Sequence, residues 1–134
     1  MEVRSIAMHP WLDGYLMQKP GAERDYKEAW GWYRYRVREK QFAALCRPGE
    51  EHGVYGGHLL LNLKCEPRMA ELFCREYPRQ IHPGFYMDKR NWIAVFLDEA
   101  LPEPVLRDLC DASYRLVVEK LPKRAQRELT EATG

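Results

Sequence analysis

A chain of 134 residues that is 46% hydrophobic and 12% aromatic can bury a real core, which excludes a disordered or fibrous protein and favours one folded domain. The 21 Lys and Arg residues stand against 20 Asp and Glu, a net charge of +1, so no global field recruits a polyanion. No apolar run approaches the roughly 18 residues of a membrane span, and no signal-peptide pattern is visible, so a cytoplasmic protein with no membrane partner is expected.

After a short leader, Pro10 opens a predicted helix running to about Gln18, with Trp11, Leu12, Tyr15 and Leu16 at helical spacing and Pro20-Gly21 ending it. Ala29 to Val37 alternates with period two: Tyr33, Tyr35 and Val37 on one face, Trp32, Arg34, Arg36 and Arg38 on the other. The short connection Arg38-Glu39-Lys40 to a second strand, Gln41 to Cys46, predicts an antiparallel hairpin. Arg47 to Gly57 holds five of the chain's Gly and Pro residues and reads as a loop. His58 to Cys65 is a third strand, with Leu59, Leu61, Leu63 and Cys65 inward and Asn62 and Lys64 outward.

Pro67 sets the first turn of a second helix striped by Met69, Leu72, Phe73 and Tyr77, and Pro78 stops it. Ile81 to Met87 and Asn91 to Leu97 read as two strands joined by the turn Asp88-Lys89-Arg90. Pro102 and Pro104 open a third helix whose inner stripe is Val105, Leu106, Leu109, Cys110, Ser113, Leu116, Val117 and Leu121, and Pro122 ends it. The order α-β-β-β-α-β-β-α predicts an α+β fold: a five-stranded antiparallel sheet, helices packed on one face, the other face open to solvent. Residues 1–134 are read as a single domain, with a core over 9–123 and a polar tail over 124–134 that can fray or extend as helix.

Cys46, Cys65, Cys74 and Cys110 show neither a CxxC pair nor zinc-ribbon spacing, and their apolar surroundings predict free, mostly buried thiols. His9, His52, His58 and His82 are scattered, with no i, i+4 pair on a helix to hold a metal. Ser5 and Ser113 are the only serines, and no Gly-x-Ser-x-Gly turn or phosphate-cradling glycine loop is present. Neither an enzyme, a cofactor, a metal nor a small-molecule substrate is therefore expected.

Two constellations remain. Trp30, Trp32, Arg34, Arg36 and Arg38 interleave indoles with guanidiniums, which can stack on bases and grip phosphates. The same pattern also fits a solvated strand face in which arginines cover tryptophans. Lys89 and Arg90, with Trp92, form a charged turn able to lie along a nucleic-acid backbone, or a solubilising turn in which Asp88 pairs with Arg90.

Leu63-Lys64-Cys65-Glu66-Pro67, Glu76-Tyr77-Pro78, the block Gly84 to Trp92 and the helix ending Lys120-Leu121-Pro122-Lys123 occur in an order and spacing that resemble the MmcQ/YjbR family of small bacterial proteins. The resemblance runs from about Trp11 to Lys123. Tyr86, Asp88, Asn91 and Ile93 stand where that family often has His, Asn, His and Asn, so two imidazoles are lost and a carboxylate is gained beside Lys89. The resemblance implies a frataxin-like (CyaY-like), secretion-chaperone-like fold and a double-wing surface proposed to bind DNA.

The expected function is weak, non-specific binding of double-stranded DNA through Arg34, Arg36, Lys64, Lys89, Arg90 and Trp92. The alternative is a protein-interaction module using the same exposed aromatics as anchors. A frataxin-like iron role needs an acidic first helix, yet residues 9–19 hold only Asp13; a secretion-chaperone role needs a markedly acidic chain.

Overall fold

The alternation over Trp32–Val37 does form a strand, but it is the second of six among the described residues. The computed structural model describes residues 9–133; the leader before His9 and the terminal Gly134 lie outside the described residues. The elements are α1 (Leu12–Met17), β1 (Ala22–Lys27), β2 (Trp32–Val37), β3 (Lys40–Cys46), a 3-10 segment (Glu50–Tyr55) and β4 (Leu60–Lys64). There follow α2 (Pro67–Glu76), β5 (Ile81–Pro83), β6 (Trp92–Phe96), α3 (Glu103–Glu119) and α4 (Lys123–Thr133). The sheet has the order β1-β2-β3-β4-β6-β5, with every neighbour antiparallel.

The α+β class and the packing of the helices on one face are as expected. The strand number is corrected from five to six, because Ala22–Lys27 pairs along the outer edge of β2. Its sequence, Ala-Glu-Arg-Asp-Tyr-Lys, carries no apolar alternation, since an edge strand needs to bury little. Residues 29–31, expected as the start of a strand, instead belong to the turn between β1 and β2. The expected hairpin between β2 and β3 is present and turns on Arg38 and Glu39, both at positive φ (48° and 69°).

On the helix-bearing face, Tyr35, Val37, Leu45, Leu61, Leu63, Ile93 and Val95 meet Leu12 and Leu16 of α1 and Leu106, Leu109, Cys110 and Val117 of α3. Burial of each such Leu or Val stabilises by about 1.5–3 kcal/mol relative to exposure. The tail joins this layer: α4 buries Leu129 against it. A bulge in β3 pushes Phe42 out of register between Gln41 and Ala43, and Ser113 of α3 repairs the ladder. Its hydroxyl donates to the Phe42 carbonyl oxygen at 2.5 Å and accepts from the Lys64 N–H at 2.8 Å.

The opposite face is not open, which corrects the expectation of a solvated sheet. Trp32, Ala44, Cys46, Leu60, Phe85, Ala94 and Phe96 make a second, smaller core there. The segment expected as two strands with a three-residue turn is a short β5, then a loop over 84–91, then β6. That loop folds back across the sheet and inserts Phe85. Asn62, fully buried in mid-β4, fixes it: Nδ2 donates to the Phe85 carbonyl at 3.0 Å and Oδ1 accepts the Phe85 N–H at 2.9 Å. Asn62 is flanked in register by Ala44 and Ala94, whose small side chains let the loop backbone approach. Gly84 is required at the loop's entry, because an added Cβ would stand 2.7 Å from Trp92 Cβ.

Candidate functional site

All six residues expected to bind nucleic acid lie on or beside this second face, but the structure divides them. Arg34 and Arg36 sit at the β1 end. Asp25, directly opposite Arg34 in the β1–β2 register, accepts from Arg34 Nε at 2.9 Å and Nη2 at 2.7 Å. Arg36 Nη2 lies 3.1 Å from the same carboxylate, and Arg36 Nε is buried without a partner. The Arg34 hydrogen bonds hold the Asp25 carboxyl below the usual carboxylate range and push the Arg34 guanidinium up in turn. One unforeseen edge strand thus closes both arginines. Trp32, expected as a stacking surface, is 7% exposed and belongs to the second core.

Lys64, Lys89, Arg90 and Trp92 gather at the other end. Lys64 and Trp92 are directly opposite across β4 and β6, and Lys64 Nζ lies 5.6 Å from the indole centroid. Asp88 does not pair with the Arg90 side chain; it shapes the loop. Its Oδ1 accepts the Arg90 backbone N–H at 3.0 Å and its Oδ2 accepts Asn91 Nδ2 at 2.6 Å. The Asn91 bond, then the Arg90 N–H, with Arg90 and Lys64 charges nearby, hold the Asp88 carboxyl below its ordinary range. Lys89 Nζ is tethered, donating to the Gly84 carbonyl at 2.8 Å over the Tyr55 ring.

Arg75 of α2 was not foreseen. It lines a cleft of about 520 Å³ with Lys89, Arg90, Glu71 and Cys74. Among the described residues, Lys64, Arg75, Lys89 and Arg90 form no ion pair with a carboxylate. The result is a small group of cations outside any ion pair, near the Asp88 carboxylate and the half-buried Trp92 indole.

Between the two ends lies an aromatic groove of about 650 Å³, floored by Trp32 and Phe85 and walled by Trp30, His52, Tyr86 and Met87. Trp30 is 57% exposed and Tyr86 73% exposed. Tyr86 is at φ 54°, a left-handed conformation that a bulky residue rarely adopts. Three of the four histidines, scattered in sequence, border the second core, and of these His52 lines the groove. His58 and His82 both stack on Phe96, with centroids at 4.3 Å and 4.2 Å, and His52 stands edge-on to Phe85 at 5.1 Å. No group of three His, Cys, Asp or Glu side chains among the described residues could hold a metal ion.

Cys46, Cys65 and Cys110 are buried and Cys74 is half-buried, all four free as thiols. Burial pushes Cys46 and Cys110 up to about 12 and Cys65 to about 11, so none is primed as a nucleophile at neutral pH. No helix among the described residues is long and apolar enough to cross a membrane.

The family described as YjbR matches this chain over residues 17–116. YjbR of Escherichia coli K12 is 31% identical over 117 residues, covering 87% of this chain and 92% of its own. YyaQ of Bacillus subtilis is 35% identical over 111 residues, covering 76% and 91%. YbdF of Escherichia coli O157:H7 is 37% identical over 105 residues, covering 68% and 85%. All three are described as uncharacterized proteins. The crystal structure of DR2400 from Deinococcus radiodurans, with a DUF419 domain, superposes at TM-score 0.74 and 24% identity, covering 89% of this chain and 85% of that one. A Pseudomonas syringae crystal structure superposes at 0.66 and 24% identity, covering 77% and 92%. These structures share the fold. The chain belongs to the YjbR family.

Proposed function

We propose that this YjbR-family chain binds the phosphate backbone of double-stranded DNA, weakly and without sequence preference, through the corner formed by Lys64, Arg75, Arg90 and Trp92. The observation that carries this reading is that none of those three cations is in an ion pair among the described residues, while Arg34 and Arg36 on the same face are closed by Asp25. A cation without an internal partner can trade bound counter-ions for phosphates, whereas a paired one must first break its own contact. Lys89 serves chiefly to hold the loop, its ammonium being engaged by Gly84. No catalytic step, cofactor or metal is part of the reading, and the site of action is the cytoplasm.

A salt titration of duplex binding, followed by fluorescence anisotropy, tests it. Three phosphate contacts give a log–log slope of about −2.7, and Arg90→Ala should make it shallower by about 0.9, equally for all sequences. Arg34→Ala should leave it unchanged. If the wild-type chain binds no DNA at low salt, or the Lys64→Ala/Arg90→Ala variant keeps the wild-type slope, the nucleic-acid reading fails. The exposed aromatics of the groove then become the working surface, as in a protein-interaction module.

A further inference from the structure

We propose that the aromatic groove is a binding site for a quaternary or fully methylated ammonium group, independent of the basic corner. Its volume, about 650 Å³, is that of a small-ligand site. Several of its ring pairs meet at large angles, while Phe85 lies within 27° of Tyr86 and 35° of Trp32. Trp30 and Trp32 are 5.6 Å apart with their planes at 66°, and His52 stands at 85° to Phe85 and 86° to Tyr86. A flat heterocycle needs a slot between parallel faces. The two nearer-parallel pairs, Phe85–Tyr86 and Trp32–Phe85, stand only 4.6 Å and 6.1 Å apart and leave no room for a further ring, so it could cover only one wall of such a corner. A rounded cation can face several rings at once, and each ring presents its negative quadrupole to it.

The lining carries one carboxylate and one guanidinium. Glu51, a lining carboxylate whose side chain is 73% exposed, supplies negative charge at the mouth, its Oε1 standing 3.5 Å from His52 Nε2. Arg47 also lines the groove, but its Nη1 is held by the Gly57 carbonyl at 2.7 Å. The Trp30 indole already attracts cations within the fold: Lys27 Nζ lies 5.3 Å and Arg34 Cζ 5.9 Å from its centroid, and neither residue lines the groove. Tyr86 is held on the wall by its left-handed backbone and by its stack on Phe85 at 4.6 Å. Rings kept in place before a ligand arrives lose little conformational freedom on binding, which favours recognition of even a small group.

Proton NMR titration of the full chain with choline tests the assignment. Its N-methyl resonance should shift upfield and saturate. Trp30 and Glu51 lie outside the basic corner, so their variants separate this site from DNA binding. Trp30→Ala should weaken choline at least fivefold and Glu51→Gln about two- to threefold, with the DNA salt slope unchanged. The neutral isostere 3,3-dimethylbutanol should bind at least fivefold more weakly than choline. Equal binding of the isostere would make the groove a plain apolar pocket and overturn the proposal. So would unaltered choline affinity in a Trp30→Ala variant with native amide dispersion, or no saturation below roughly 100 mM. Acetyl-trimethyllysine amide distinguishes the two carriers of this group: tighter binding than choline assigns the site to a modified side chain, weaker binding to a free small molecule.

Discussion

The two ends of the second face carry the same kind of cation in opposite circumstances. At the β1 end, Arg34 and Arg36 share Asp25 and are committed within the fold. At the α2 end, Lys64 and Arg90 meet no described carboxylate in an ion pair, and the nearby acid, Asp88, spends both oxygens on the loop. The lesson is that a basic stripe is not a basic surface. Whether a guanidinium is available depends on which strand lies beside it, because an opposed carboxylate at hydrogen-bond distance satisfies both its charge and its donors.

The largest expected effect comes from breaking the scaffold of the α2 end. Asn62→Ala removes both hydrogen bonds to Phe85 and leaves a buried N–H and C=O without partners. Each such group costs about 1–3 kcal/mol, so a loss of about 2–4 kcal/mol in denaturant unfolding is expected. Amide exchange should accelerate over 84–91 while β1 and β2 stay protected, since the Asn62 side chain hydrogen-bonds to the loop at Phe85. Unchanged stability would mean that the loop, and with it Arg90, is held by something other than this asparagine.

Much of this arrangement is legible in sequence where burial imposes a period. Leu59, Leu61 and Leu63 announce the inner face of β4, and Leu106, Leu109, Cys110, Ser113 and Val117 announce that of α3. β1 is not legible, because a polar edge strand buries too little to print an alternation, and Asp25 is therefore invisible as a counter-ion. The loop over 84–91 misleads for the opposite reason. Phe85 and Met87 continue the apolar alternation of Ile81 although Phe85 is buried from above the sheet. The one hint was Asn62, a polar residue in a run of leucines, which needed a buried partner. The cation corner was half legible: Lys64, Lys89, Arg90 and Trp92 do assemble, whereas Arg75 joins them only through the packing of α2 beside the loop.

Asp25→Asn should erase the difference between the ends. It releases Arg34 and Arg36 to solvent, and the slope of DNA binding against salt should steepen by about 0.9 for each arginine that then reaches a phosphate. The stability cost is small, about 0.5–1 kcal/mol, because all three side chains are partly exposed and screened. The sign with pH follows from the depressed Asp25 pKa. Its stabilisation is fully present above the ordinary carboxylate value of about 3.9 and is lost as pH falls through the lower folded value. The stability gap between wild type and Asp25→Asn should hold steady from about pH 5 to 8 and close in strong acid. An unchanged salt slope would show that pairing is not what separates the two ends.

The smallest effect is expected from Asp88→Asn, which acts on the open end without opening anything. Asp88 is fully exposed, yet its carboxyl is held low by Asn91 and the Arg90 N–H, so it is ionised throughout the neutral range. That charge lies near Lys64 and Arg90 and opposes an approaching phosphate. Asparagine keeps an oxygen for the Arg90 N–H, and Asn91 can turn its own oxygen toward the new amide, so the loop should hold its shape. Removing one like charge beside a contact should tighten DNA binding by roughly two- to fivefold at low salt, and the gain should fade as screening shortens to a few ångströms near 1 M. The salt slope should steepen only slightly, by less than the about 0.9 of an added phosphate contact, because no new cation reaches a phosphate. Binding isotherms for the wild type and Asp88→Asn at several salt concentrations check this: lines offset at low salt and converging at high salt are expected. If the variant binds no better than the wild type, the cation corner is not where the phosphates lie.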